Sequence, residues 1–482
     1  MSEEVQDKPT LESRIGKYMP SVEKPTYKQS FNSRLKWTFF ALVMYLVLSY
    51  VTAFGVKKES NPQFRFFELV LGSRFGSIMT LGIGPIVTAG IVLQLLVGSK
   101  ILNWDTHKEE GRKKFQTFNK LAAIVLSFIE GAAFTLTGAV PVEPGIFNVI
   151  IVMLQFAFGG IIALLLDEIV SKWGFGSGIS LFIAVGVAGQ IFVRILSPLS
   201  QACIPGNIIS CIPTSGAPAT GLLWEFFLNV FAGDPITALL SILPVISTVL
   251  VFLIVIYIQA LHIDIPLSFA TVRGFNRNWP LKLLYTSNIP VILAAALIAN
   301  LQLMARIGAT VDPTTGLVCG IIGCVDASGQ AASGLVFYLS SPRNLLGDIV
   351  RGSLVSSELT RAFTYLGFLT IMSMVFSIFW VSTAGMDSSS VAEQIESIGM
   401  HIPGYRSDKK SMEQVLDKYI KPLSVVGGLL IGLLAALADF TGAIGTGTGI
   451  LLTAMIIYNY YEELQNQPLD DAHPAVKKIL GE

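Results

Sequence analysis

The chain has 482 residues, of which 52% are hydrophobic and only 14% are charged, and its mean hydropathy is +0.63. A water-soluble globule has no place for so much apolar surface, so the composition predicts a polytopic membrane protein. Lys and Arg together number 33, as do Asp and Glu, so the net charge alone indicates no nucleic-acid or acidic partner.

Ten stretches are apolar over about 20 residues, the length that crosses roughly 30 Å of hydrocarbon as a helix. They predict transmembrane spans near residues 36–53, 76–98, 119–140, 146–170, 178–198, 236–260, 286–306, 361–383, 423–440 and 444–460. With the N-terminus in the cytoplasm, 22 Lys and Arg residues fall in inside segments and 6 in outside segments. The positive-inside rule therefore places both termini in the cytoplasm.

The chain has two long outer loops, 199–235 and 307–360, and the first of them divides the ten spans into two sets of five. The predicted layout is a cytoplasmic N-terminal segment (1–35), a first five-helix half (36–198), an external loop (199–235), a second five-helix half (236–460) containing cytoplasmic loops 261–285 and 384–422 and external loop 307–360, and a cytoplasmic tail (461–482). Because five is an odd number, a structural repeat between the halves must be inverted. The apolar run 222–231 is too short to span and predicts an interfacial or re-entrant helix.

A short helix is predicted before the second span. NPQFRFFELVL (61–71) is bounded by Pro62 and Gly72 and is too short to cross a bilayer, so we expect it to fold back into the protein from the outer side. The following stretch, GSRFGSIMTLGIGPIVTAG (72–90), contains five glycines and a proline, which weaken a helix. We interpret the first glycines as a flexible joint; close packing between membrane helices is the alternative.

Few ionisable residues lie at membrane depth. Glu130 is about midway along the third span, where an ionisable group is costly and usually faces polar partners or a water-filled space. Thr88 and Asn300 also lie inside spans and are candidates to hydrogen-bond to it; three unrelated packing groups are the alternative. Asp167 and Asp439 lie near span ends, where we expect an interfacial position.

The sequence contains no pattern typical of an enzyme. Its four histidines lie in cytoplasmic segments and lack metal-ligand spacing. GTGTG (445–449) lies between two spans and lacks the GK[ST] ending of a phosphate-binding loop. We therefore predict no catalytic residue, cofactor or metal.

The four cysteines all fall in outer loops. Their short separations and an oxidising exterior favour two local disulfides, Cys203–Cys211 and Cys319–Cys324. Free thiols or a metal site are the alternatives.

Four motifs, in order along the chain, resemble the SecY family, the channel subunits of the protein translocon: GIGPIVTAGIVLQLL (82–96), PLSFATVRG (266–274), YTSNIPVIL (285–293) and ADFTGAIGTGTGILL (438–452). The resemblance runs from about residue 16 to about 465 and is greatest to archaeal members, which are similar to the eukaryotic alpha subunit. It implies an all-α polytopic membrane protein with ten transmembrane helices in two inverted five-helix halves around a central hourglass pore. The long cysteine-bearing outer loops depart from the compact family pattern.

The resemblance also assigns residues to the pore. It implies a ring of aliphatic side chains at the waist, which blocks ions by dewetting, and the matching positions are Ile83, Val87, Ile179, Ile183, Ile292 and Leu452. It makes helix 61–71 the plug that closes the outer funnel, with apolar residues Phe64, Phe66, Phe67, Leu69, Val70 and Leu71. It places Thr88, Glu130 and Asn300 in the polar cluster of a lateral gate, where many relatives have glutamine in place of Glu130.

The cytoplasmic loops carry the implied docking residues. Arg273 and Arg406 match basic residues that dock on ribosomal RNA, a salt-sensitive phosphate attraction, and Thr271 replaces a second arginine common in relatives. The implied partners are SecE-type (gamma) and beta-type small membrane subunits, the ribosome, signal sequences and nascent polypeptides, and membrane lipid.

We therefore expect a protein-conducting channel in the cell (plasma) membrane. It would translocate unfolded secretory polypeptides and release transmembrane segments laterally into lipid. The alternatives are a secondary transporter with five-plus-five inverted repeats, which requires several polar groups at the midplane, and an intramembrane enzyme, which requires a nucleophile with a base or paired carboxylates inside the spans.

Overall fold

The structure is a computed structural model, and it is described for most of the chain. The described residues are 19–27, 29–57, 76–98, 101–104, 109–136, 140–200, 219–269, 276–286, 289–304, 310–311, 317–325, 331–342, 345–403 and 408–465.

Helices account for most of the described residues. In chain order they are α1 (Phe31–Tyr50), α2 (Gly84–Gly98), α3 (Glu109–Leu136), α4 (Ile146–Trp173), α5 (Gly178–Leu196), α6 (Leu222–Ala232), α7 (Pro235–Ala260), α8 (Ile289–Met304), α9 (Leu335–Tyr338), α10 (Leu345–Arg351), α11 (Ser356–Thr383), α12 (Ser388–Ser397), α13 (Lys409–Phe440) and α14 (Gly447–Gln465). The strands are β1 (His262–Phe269), β2 (Asn276–Lys282), β3 (Thr310–Val311), β4 (Val318–Gly320), β5 (Gly323–Val325), β6 (Ala331–Gly334) and β7 (Met400–His401).

Each predicted span coincides with a long helix. Within the described ranges, ten helices have 15 or more residues, and one of them overlaps each predicted span. Six of these, α3, α4, α5, α7, α11 and α13, are long and apolar enough to cross a membrane by length and composition. The predicted helical membrane architecture is thereby confirmed, and α6 is the predicted short apolar helix between the fifth and sixth spans.

Two helices extend far beyond their apolar windows. α3 begins ten residues before the predicted third span, and α13 begins at Lys409 instead of near residue 423. Hydropathy detects only the part of a helix that is apolar, whereas the backbone hydrogen bonds continue into the polar turns. The N-cap of α13 is Asp408, whose carboxylate accepts a hydrogen bond from the Ser411 amide.

The described residues form two compact units. The first contains α1 to α4, the start of α5 up to Phe182, and the end of α14 from Tyr460. Within it, α3 packs against both α2 and α4, and α1 packs against α4. The second runs from Ile183 in α5 to Asn459 in α14. Within it, α13 packs against α11, and α8 packs against both.

In the first unit, the turn between α4 and α5 is held by both the first and the last helix. From α1, the Arg34 side chain donates to the Gly174 carbonyl, at 2.9 Å from Nε to oxygen, and lies 4.4 Å from the centre of the Phe175 ring. From α14, Tyr460 donates to the Ser177 carbonyl at 2.8 Å, and Glu463 accepts from the Gly176 amide at 3.2 Å. Residues from the two ends of the chain therefore complete this turn together.

The second unit has two small sheets outside the spans. One is a three-stranded antiparallel sheet with order β2-β1-β7, in which Ser268 pairs with His401. The other has order β3-β4-β5-β6 and lies within predicted external loop 307–360. Both sheets fall in segments that sequence analysis assigned only as loops.

Candidate pore, gate and docking residues

The second span is helical only in its inner part. Residues 76–83 form a series of turns, and α2 begins at Gly84 with Pro85 in its first turn, where the missing amide hydrogen of proline costs no hydrogen bond. Ile83 is buried immediately before the helix, and Val87 is half-buried four residues later. The Val87 amide donates to the Ile83 carbonyl at 3.1 Å, so the two side chains lie on one face.

The other proposed ring residues also lie near the beginnings of helices. Ile179 and Ile183 are in the first two turns of α5, Ile292 is in the first turn of α8, and Leu452 is in the second turn of α14. Ile183 and Leu452 are buried, whereas Ile179 and Ile292 are half-buried. All six candidates therefore lie within two turns of a helix start or directly before one, a shared feature that sequence analysis did not detect.

Two of the three proposed gate residues are in contact. Thr88 on α2 and Glu130 on α3 are both half-buried, and the Thr88 side chain donates a hydrogen bond to the Glu130 carboxylate. Asn300 is exposed on α8, in the second unit. The structure therefore joins Thr88 and Glu130 into one polar pair within a membrane segment.

The proposed plug, 61–71, with all six of its named apolar residues, lies outside the described residues. The segments that flank it are held together. Thr52 and Ser77 form a β-bridge, the Ala53 amide donates to the Gly76 carbonyl at 2.8 Å, and the Ile78 amide donates to the Val51 carbonyl at 2.9 Å. Residues 51–53 and 76–78 therefore lie side by side in the first unit.

The predicted docking residues Arg273 and Arg406 also lie outside the described residues, but the structure defines the domain that bears them. Arg273 belongs to the connection between β1 and β2, and Arg406 to the connection between β7 and α13. The three strands, α12 and the first turns of α13 share one apolar core, which includes Ile265, Leu281 and Leu416. We name this the cytoplasmic domain, after the side of the membrane that the positive-inside rule predicts for it; its described residues are 262–269, 276–282, 386–402 and 409–423.

A half-buried tyrosine connects the cytoplasmic domain to the chain leading into α8. The Tyr285 hydroxyl donates to the Met386 carbonyl at 2.7 Å. Burial and, to a lesser extent, the negative charge of nearby Asp387 raise the pKa of Tyr285 to about 12. The hydroxyl is therefore protonated at neutral pH, as a hydrogen-bond donor must be.

The four-stranded sheet contains one of the two expected cysteine pairs. Cys319 and Cys324 face each other across β4 and β5 and form a disulfide, with their Cα atoms 4.0 Å apart. Cys203 and Cys211 lie outside the described residues.

Arg361, near the start of α11, fixes the chain that follows this sheet. Its guanidinium donates to the Ser340 carbonyl at 2.9 Å and to the Ser341 carbonyl at 3.0 Å.

Among the described residues no group of three or more His, Cys, Asp or Glu side chains is placed to hold a metal ion. In the part of the chain that the structure describes, ten helices of 15 or more residues, six of them long and apolar enough to cross a membrane, and a polar pair inside a membrane segment define a polytopic helical membrane protein.

The comparisons specify the family. The SecY family model matches residues 77–461, and the chain belongs to the SecY family. Protein translocase subunit SecY of Pyrococcus furiosus is 40% identical, with 97% of this chain and 98% of that protein covered. The namesake from Methanococcus vannielii is also 40% identical, with 98% and 99% covered. This is a family of protein-translocation channels and not of enzymes.

Solved structures give the same result. A structure described as that of a protein conducting channel matches with a TM-score of 0.79 at 39% identity, covering 96% of this chain and 99% of that one. Sec61 in the canine ribosome-channel complex from the endoplasmic reticulum matches with a TM-score of 0.76, also at 39% identity, with the same coverage. The resemblance identified from four motifs is therefore confirmed over nearly the whole chain.

Proposed function

We propose that this chain is the protein-conducting channel subunit of a membrane-embedded translocase. The observation that carries the proposal is the similarity, along 97% or more of the chain, to proteins named protein translocase subunit SecY. The chain passes unfolded secretory polypeptides across the membrane and releases apolar segments sideways into lipid. It supplies no chemical energy itself, so a partner drives the movement.

The aliphatic residues at the helix starts form the seal of this channel. Ile83, Val87, Ile179, Ile183, Ile292 and Leu452 carry no polar atom, and a narrow ring of such side chains excludes water and ions until a polypeptide displaces it. The support for this assignment is their match to the family ring and their shared place within two turns of helix starts. The plug 61–71 closes the same pore from outside.

The Thr88 and Glu130 pair, with Asn300, forms the lateral gate. A hydrogen bond between two membrane helices contributes on the order of 1 kcal/mol, which is small enough for an apolar signal sequence to overcome. The support is that two of the three matched residues, Thr88 and Glu130, contact each other within the first unit. Opening the gate exposes the pore to lipid.

The partners follow from the relatives. Because one matching structure is Sec61 in a ribosome-channel complex, we assign ribosome docking to the cytoplasmic domain through Arg273 and Arg406. SecE-type and beta-type small subunits complete the channel. The protein resides in the plasma membrane with both termini in the cytoplasm, in accord with the excess of Lys and Arg in the predicted inside segments.

Reconstitution tests the proposal. The chain, with small subunits from an archaeal relative, is placed in proteoliposomes and given ribosomes bearing a labelled secretory precursor. We expect the precursor to become resistant to added protease until detergent is present, and a precursor without its signal sequence to remain sensitive. A precursor with a transmembrane segment should resist alkaline extraction. Full protease sensitivity of the intact precursor, with correctly inserted channel, would contradict the proposed function.

A further inference from the structure

Two spans, α5 and α14, begin at buried glycines that are capped by a carboxylate of the preceding span. The Ile179 amide at the start of α5 donates to Asp167 of α4, at 2.9 Å. The Gly447 amide at the start of α14 donates to Asp439 of α13, at 2.6 Å. A helix is usually capped by the residue directly before it, and α14 also has such a cap, since Thr446 accepts a hydrogen bond from the Gly449 amide at 3.2 Å. The bonds to Asp167 and Asp439 differ in that they join each helix to its predecessor.

Both helix starts touch the backbone of the preceding helix. A Cβ atom added at Gly178 would lie 2.6 Å from the Asp167 Cα atom, and one added at Gly447 would lie 2.4 Å from the Asp439 nitrogen. No side chain fits in either place. The carboxylate and the glycine therefore act as a pair: the glycine permits the approach, and the carboxylate fixes the orientation of the helix that begins there.

The cap of α14 is connected to further helices of its unit. The second oxygen of Asp439 accepts a hydrogen bond from Tyr365 of α11, at 2.7 Å between the oxygens. In the turn that follows Asp439, the Ile444 amide donates to the Thr248 hydroxyl of α7 at 3.0 Å. Three helices thus hold the first residue of α14 and the turn before it.

The helices capped in this way carry proposed ring residues in their first two turns. Ile179 and Ile183 follow the Asp167 cap on α5, and Leu452 follows the Asp439 cap on α14. Five residues of helix separate Gly447 from Leu452, a rise of about 7.5 Å, so a small displacement of the helix start is passed directly to Leu452. The capped helices are the fifth and the tenth spans, which correspond in a five-plus-five repeat.

We infer that Asp167 and Asp439 are positioning residues of the channel: each sets the height and rotation of a pore-lining helix, and so the closure of the aliphatic ring. This inference rests on the proposed function. Neither carboxylate needs to contact the translocating polypeptide. Each acts through the backbone amide at a helix start.

The test compares Asp439→Leu with Asp439→Asn in the full-length protein in vesicles. Leucine has a similar size but accepts no hydrogen bond, whereas asparagine can accept from Gly447 and donate to the Tyr365 oxygen. Spin labels on the exposed positions Val426 of α13 and Ile457 of α14 report the distance between the two helices, with Cys203 and Cys211 replaced by serine. We expect Asp439→Leu to shift or broaden this distance and to raise resting ion conductance severalfold, and Asp439→Asn to restore both.

Asp234→Leu is the matched control. It also removes a capping carboxylate, which accepts from the Thr237 amide, but it caps α7, which carries no proposed ring residue. We expect wild-type distance and conductance from it. If Asp439→Leu fails to fold, Tyr365→Phe removes one of the two hydrogen bonds and should shift the same distance in the same direction, by less.

At Asp167 we expect leucine to raise the resting conductance and asparagine to restore the wild-type value. A wild-type distance and conductance in Asp439→Leu would overturn the inference, as would failure of asparagine to restore them. The distance measurement needs no transport. Suppose that the distance shifts in Asp439→Leu but the wild-type protein translocates no precursor. That result would contradict the proposed function and still support the positioning role of Asp439.

Discussion

Gly159→Ala tests the contact that places the start of the second span. Gly159 lies in α4, and an added Cβ would be 1.9 Å from the Ile78 carbonyl oxygen. An ordinary carbon to oxygen contact is about 3.3 Å, so α4 and the 76–83 turns must separate by more than ~1 Å. Neither partner can relieve this by changing a rotamer, because the clash is with backbone, and the Ile78 amide is itself bonded to Val51.

The expected loss of stability follows from two opposing effects. Overpacking costs about 1–3 kcal/mol, with backbone clashes at the upper end. Alanine regains about 1 kcal/mol of helix propensity over glycine. We therefore expect a net loss of about 2 kcal/mol, seen as a lower thermal midpoint by tryptophan fluorescence in mild detergent, together with a higher resting conductance because Ile83 ends the displaced turns.

Gly189→Ala is the matched control for this measurement. Gly189 lies within α5, and an added Cβ would meet no atom within 4 Å. Only the propensity gain applies there, so the midpoint should equal or slightly exceed that of the wild type. The reasoning is refuted if Gly159→Ala is as stable as Gly189→Ala.

Three further substitutions test other parts of the molecule. Ile83→Ser with Val87→Ser should wet the proposed ring and raise resting conductance in a planar bilayer; unchanged conductance in correctly inserted protein would remove both residues from the seal. Arg273→Ala with Arg406→Ala should weaken ribosome binding and flatten its salt dependence, and equal binding at matched salt would place docking elsewhere. Arg361→Lys keeps the charge but loses the planar set of donors, so amide exchange over residues 331–342 should become severalfold faster; unchanged exchange would contradict its anchoring role.

Sequence patterns predicted the membrane helices well because lipid imposes a simple rule. A span must be apolar for about 20 residues, and that rule found all ten helices. It could not find where α3 and α13 begin, since the first turns of both helices are polar and hydropathy detects only apolar residues. The strands were missed although β1, HIDIPLSF, alternates apolar and polar residues, a signal that predicts a half-buried strand.

The capping carboxylates could not have been predicted from the sequence alone. Asp167 and Asp439 near span ends indicated an interfacial position, which is the usual place for a charge there. The partner of each is a backbone amide at the start of another helix. Every residue except proline has such an amide, so the residue type does not reveal the partner. Only the glycines at 178 and 447 offered a hint, because each stands at the first residue of an apolar run.

The turn between α4 and α5 is completed only late in the synthesis of the chain. Ser177 receives its hydrogen bond from Tyr460, 283 residues later in the chain. At a synthesis rate of about 5–20 residues per second, the turn exists for roughly 15–60 s before that partner has been translated. During this interval the first helices can already cross the bilayer while their unit is still unfinished. The hydrogen bonds from α14 are therefore among the last that the first unit forms, and a chain interrupted before Tyr460 would lack this partner of the turn.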